Sequence, residues 1–135
     1  MKIKKRKNYV NEVSCVYIAA DFARRTIGLL KCGETFQQLW KRRNKIRSED
    51  KCPKLQMIAT IVLFNVTQAQ RRTIESEVRE CLEKYALNIG NDYFTFDASS
   101  KRDLGGKYFR LTALAMAHAI DKCEEKGHEY YFTWL

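Results

Sequence analysis

The run from Leu55 to Val66, L-Q-M-I-A-T-I-V-L-F-N-V, carries no charge and is rich in Ile, Val, Thr and Phe. It is too short to cross a bilayer as a helix, and its β-branched content favours extended structure. It therefore reads as a strand covered on both faces, the centre of a sheet that the rest of the chain must complete. Pro53, the only proline, suits the polar loop Ser48 to Lys54 before it, where a fixed φ is tolerated. Directly after the strand, Thr67 and Gln70 form a T-x-x-Q capping box, each side chain satisfying a free backbone N–H of the new helix. Ile74, Val78, Cys81, Leu82 and Tyr85 give that helix one apolar stripe. Arg71, Glu75, Glu77 and Arg79 fall on or near its flanks.

The stretch from Cys15 to Arg43 supplies the neighbours. Two apolar runs, Val16 to Ala20 and Ile27 to Leu30, flank a polar centre with Asp21, Arg24 and Arg25, which is the pattern of a hairpin. Past Gly33, Phe36, Leu39, Trp40 and Ile46 recur at helical spacing and predict a one-sided helix with Trp40 in the core. Asn88 to Asn91 reads as a turn and Asp92 to Phe96 as a short extended segment. Ala98 to Gly106 reads as a polar loop, and Tyr108 to Cys123 as a third helix with Phe109, Ala113, Ala117 and Ile120 inward. Gly127 suits its stop, and His128 to Leu135 a final strand or packed tail. The expected fold class is α/β of the α+β kind. It comprises a small central antiparallel three-stranded sheet flanked by helices, a β-β-α-β-α core with a C-terminal helical extension. One domain spans 1–135, with a basic arm over 1–12, the core over 13–97, and the C-terminal helix and tail over 98–135.

With 135 residues, 45% of them hydrophobic, one proline and six glycines, the chain is neither disordered nor of low complexity, and is of single-domain length. Its formal charge of +9 favours a polyanionic partner, most simply nucleic acid, because clustered cations gain free energy by releasing phosphate counterions. An acidic membrane surface is the lesser alternative. Lys2, Lys4, Lys5, Arg6 and Lys7 form a basic arm that adds affinity without reading sequence. No apolar run approaches the ~20 residues of a membrane helix, and no signal-type stretch follows the arm, so a cytoplasmic protein without a membrane partner is expected. Cys15, Cys32, Cys52, Cys81 and Cys123 are odd in number and lack C-x-x-C spacing, which argues against a disulfide scaffold, a disulfide-linked partner or structural zinc.

The order of these elements resembles the GIY-YIG endonuclease superfamily, whose signature is a tyrosine strand, a second strand closing in Tyr-Ile-Gly, and a helix carrying an arginine. Here the first element is Val16-Tyr17-Ile18. The second, Lys31-Cys32-Gly33 followed by Glu34-Thr35, is similar to the phage-type branch that reads Lys-Ile-Gly-x-Thr. An arginine helix, a glutamate helix and a closing Asp92-Tyr93-Phe94 follow in the family's order. The resemblance implies a DNA-binding endonuclease that hydrolyses phosphodiester bonds with a single Mg²⁺ or Mn²⁺. Tyr17 would activate or position the attacking water, and because a phenol of pKa ~10 is a poor base, Lys31 would supply the charge that lowers it. Lys31 would also hold the scissile phosphate. Glu75 is the implied metal ligand, with Leu82 seven positions on as in the family; read from the residues alone, it is a surface ion pair with Arg79. The apolar markers Leu39 and Ile46 make Arg42 the implied phosphate clamp, with Arg43 in reserve, although a helical wheel lays Arg43 on the Phe36–Trp40 stripe. Lys41, Arg43, Lys45 and Arg47, with Lys4, Lys5, Arg6 and Lys7 of the arm, would grip DNA. No glycine precedes Val16-Tyr17, and Cys32 stands where the family has isoleucine. Two further readings therefore stand beside the enzyme: a metal-independent DNA-binding module on the same fold, and a small basic protein-interaction domain.

Overall fold

The computed structural model describes residues 9–23 and 26–135. Their elements run β1 (Val10–Asp21), β2 (Ile27–Thr35), α1 (Leu39–Glu49), β3 (Leu55–Thr67), α2 (Gln68–Glu83), β4 (Leu87–Gly90), β5 (Tyr93–Asp97), α3 (Lys101–Lys126) and β6 (Glu129–Trp134). The strands form one antiparallel sheet in the order β4-β5-β2-β1-β3-β6.

The expected three-stranded sheet is therefore wrong, because the sheet has six strands. Three of its four inner strands, β2, β1 and β3, are those anticipated, although β1 and β2, not the Leu55 strand, form its middle, and the additions come from stretches with weak strand signals. The turn expected over Asn88 to Asn91 lies one step later. Asn91 and Asp92 both take positive φ, at 54° and 63°, as the two central residues of a tight hairpin do. That leaves Leu87–Gly90 free to pair with β5, which pairs in turn with β2, while β6 covers the outer edge of β3.

Strand alternation divides the core in two. Val16, Ile18, Ala20, Leu30, Cys32, Ile61 and Leu63 face Ile74, Val78 and Leu82 of α2 and Leu111, Ala115 and Met116 of α3. On the opposite face Tyr17, Ala19, Leu29, Leu55 and Tyr93 pack with Ile46 of α1. β1 is thus buried from both sides, as a central strand is. The capping box at the start of α2 forms in both directions, Gln70 N–H to Thr67 Oγ1 at 3.1 Å and Thr67 N–H to Gln70 Oε1 at 2.8 Å. Tyr85, expected in that helix's stripe, lies beyond its end and is exposed.

Two helices differ from expectation for local reasons. β2 runs on to Thr35 and α1 begins only at Leu39, so Phe36 belongs to the link between them and not to a helical stripe. Phe36 and Trp40 are consequently exposed, and of the residues of α1 only Ile46 is fully buried. α3 begins at Lys101 instead of Tyr108. Ser100 caps it by accepting from Asp103 N–H at 3.1 Å, and this offsets the poor helix propensity of Gly105 and Gly106. The earlier start brings in Leu104 and sets the buried stripe at Leu104, Tyr108, Leu111, Ala115, Ala119 and Cys123, leaving Phe109 and Ala117 exposed. Gly127 ends the helix in the left-handed region at φ 71°. Among the described residues no helix is long and apolar enough to cross a membrane, and all five cysteines are free.

Candidate active site

β2 is longer than its outer neighbour. β5 accompanies it only from Ile27 to Lys31, and a last backbone bond joins Cys32 N–H to Asp92 O at 3.2 Å. Beyond that point Gly33, Glu34 and Thr35 lie past the end of β5. A cleft of about 450 Å³ occupies the site, and Tyr17, Lys31, Arg42 and Glu75 all line it.

Tyr17 stands opposite Gly33 in the β1–β2 register. A Cβ on Gly33 would fall 2.6 Å from Tyr17 Cζ, so the glycine is what lets the ring lie across the neighbouring strand. The phenol oxygen accepts from Arg42 Nε at 3.1 Å, which leaves its own hydrogen to be donated. Burial pushes this phenol above its ordinary pKa, against the lowering influence of the Arg42 hydrogen bond and charge. Tyr17 is therefore neutral at neutral pH and suited to donate. The cation at its hydroxyl is Arg42, a correction to the expectation that Lys31 would hold that place.

Lys31 is engaged elsewhere. The residue is 5% exposed, and its ammonium donates to Asp50 Oδ2 at 2.9 Å and to Asn91 O at 3.3 Å and lies 4.4 Å from the centre of the Tyr93 ring. Tyr93 O–H donates to the same Asp50 oxygen at 2.6 Å. Burial resists ionisation of Asp50, but the hydrogen bonds from Tyr93 and Lys31 outweigh it and hold the carboxyl below its usual range. Most of the lysine's charge is thus matched before any substrate arrives.

Arg42 and Arg43 are separated by the helix face they occupy. Leu39, Arg42 and Ile46 share one face at i, i+3 and i+7, and Ile46 packs in the same core as Tyr17. Arg43 instead hydrogen-bonds Asn44 Oδ1 at 3.4 Å on the outside. The wheel that placed Arg43 on an apolar stripe fails because Phe36 and Trp40 form no such stripe.

Glu75 is 6% exposed, so its pairing with Arg79 is not a surface one. Oε2 accepts from Arg79 Nη2 at 3.1 Å, and Oε1 from the Cys32 thiol at 3.6 Å. Burial raises the Glu75 pKa, with the Arg79 charge opposing it. Burial, and next the Glu75 charge, raise that of Cys32, which stays a thiol. Arg79 also reaches Asp92 at 3.6 Å. Among the described residues no three His, Cys, Asp or Glu side chains gather into a metal cage. A cation at Glu75 would have to displace Arg79, whose side chain is one-third exposed, and would take the rest of its ligands from water.

Several residues of the site have a role that the sequence did not assign, although Glu34 and Tyr93 stand in the motif stretches. Glu34, held by Arg71 at 2.6 Å and Arg72 at 3.8 Å, and Asp50 and Tyr93 acquire their roles only through partners distant in the chain. Of the predicted DNA-gripping cations, Lys4, Lys5, Arg6 and Lys7 lie outside the described residues. Lys41 and Lys45 are exposed, Lys45 near Glu49 at 3.7 Å, whereas Arg47 Nε donates to Leu55 O at 2.8 Å and helps dock α1. Compared with protein-family models, curated proteins and solved structures, the chain matches none.

Proposed function

We propose that this chain is a DNA-binding endonuclease of the GIY-YIG type, hydrolysing phosphodiester bonds with one Mg²⁺ or Mn²⁺ held by Glu75. The observation that supports this reading is the convergence of Tyr17, Lys31, Arg42 and Glu75, drawn from four elements, on one cleft. When bound, the divalent ion supplies a Lewis acid for the phosphoryl oxygens and the departing 3′ oxygen. The chain's own groups do the rest. Arg42, fixed by the Tyr17 oxygen, presents its remaining N–H groups to a nonbridging oxygen. Tyr17, as a neutral phenol, donates a hydrogen bond that positions the attacking water, whose proton passes to a nonbridging phosphoryl oxygen of the substrate. Lys31, braced by Asp50 and Tyr93, adds a partly neutralised positive end to the same wall. Arg79, held by Glu75 and Asp92, would pass to a phosphate as the ion takes its place, and the Cys32 thiol steadies the carboxylate. A cytoplasmic location belongs to this reading, since five free cysteines suit a reducing compartment.

A second reading, a metal-independent DNA-binding module, draws on a specific observation: both oxygens of Glu75 already have protein donors. Nicking assays separate the two. Glu75→Ala should abolish cleavage with Mg²⁺ or Mn²⁺ while leaving binding in EDTA nearly intact, and Arg42→Ala should weaken both. Tyr17→Phe should keep the fold and binding yet slow turnover on the order of 10²- to 10³-fold, the cost of one lost donor. A wild-type protein that binds DNA with salt dependence but nicks no form of it would establish the module instead.

A further inference from the structure

The cleft does not end at Arg42. A second depression of about 330 Å³ continues from it, sharing Glu34 and Arg42 and adding Phe36, Lys45 and Gln68. The two form one groove along the end of β2, with α1 as one wall and α2 as the other. Cations stand on both walls, Arg42 and Lys45 on α1 and Arg72 and Arg79 on α2. The acid they share, Glu34, is paired closely with buried Arg71 at 2.6 Å, which leaves the exposed Arg72, 3.8 Å away, to meet an incoming anion.

Phe36 lines this groove with 51% of its surface exposed, and it contributes to neither core. Cations that track a backbone, with an exposed aromatic ring beside them, are the combination that binds an unpaired nucleic-acid strand. Phosphates meet the cations, and a splayed base stacks on the ring. A duplex keeps its base faces stacked on one another and offers such a ring nothing. We infer that the groove takes an unpaired strand of nucleic acid, with one base stacked on Phe36 and its phosphates on Arg42, Lys45 and Arg72. The inference rests on the reading of the cleft as a nucleic-acid site and adds the class of substrate, single-stranded or locally opened.

The test is fluorescence anisotropy in EDTA with labelled DNA and RNA strands of about 12 nucleotides, within the span of known single-strand sites, and a blunt duplex of the same sequence. The unpaired strands should bind about tenfold or more tightly than the duplex, and the tighter of the two identifies the natural chemistry. Phe36→Ala, on an exposed link that leaves the fold intact by circular dichroism, should weaken strand binding about 5- to 150-fold, the worth of one stacked base. Duplex binding and the salt slope should not change, and Phe36→Trp should retain affinity. Tighter binding of the duplex, or equal losses on strand and duplex with Phe36→Ala, overturns the inference while leaving the cleavage reading standing. Binding to no nucleic acid at low salt overturns both, whereas strand binding without nicking removes only cleavage.

Discussion

Asp50 decides how much charge Lys31 has to offer. Asp50→Ala would leave the ammonium buried with its carboxylate partner gone, an arrangement that costs on the order of 3 kcal/mol. The pH dependence follows from the depressed pKa of Asp50. Its stabilisation is fully present above the ordinary carboxylate range and is lost as pH falls through the lower folded value. Urea melts of wild type and variant should therefore differ at neutral pH and converge in acid; a constant gap would refute the assignment. Asp50 also marks the limit of what the sequence discloses about single residues. The motif order singles out Tyr17, Lys31, Gly33 and Arg42, and all four line one cleft, but it pairs the Tyr17 hydroxyl with Lys31 where the structure has Arg42. Lys31, Asp50 and Tyr93 meet only after β5 lies beside β2 and α1 has docked, and no local periodicity encodes that meeting.

Among the helices, α1 is held least by apolar burial. Ile46 is its one fully buried residue, supported by Leu39 and by the bonds from Arg42 to Tyr17 and Arg47 to Leu55. Ile46→Ala should cost about 2 to 4 kcal/mol. Because that loss falls on a helix with little else to hold it, amide exchange over 39–49 should accelerate more than exchange in β1 and β3. Uniform acceleration across the sheet would show that α1 is not a separate unit. The limited apolar content of α1 also explains why its start was misread. Phe36 and Trp40 carried most of the apparent stripe, and neither is inside. The strand Leu55–Thr67 and the capped helix after it were legible because an uncharged β-branched run and a T-x-x-Q box each act through near neighbours, but the strand's place second from the sheet edge, where the centre was expected, was not. The outer strands were not, since four residues such as Leu87–Gly90 become a strand only where an edge awaits them.

At the scale of the molecule, a formal charge of +9 predicts binding that weakens steeply with salt, log K falling by about 0.7 to 0.9 per decade of salt for each phosphate contacted. Arg72→Ala should reduce that slope by about one contact, measured on any strand that binds. An unchanged slope would place Arg72 outside the path of the backbone. The cleft itself draws on both faces of the sheet, Tyr17 and Arg42 from the side of α1, Glu75 and Arg79 from the side of α2. A chain emerging from synthesis with one layer docked and the other loose owns only half of these groups. Docking of both layers is thus a safety catch: the four side chains meet only when both halves of the core have closed.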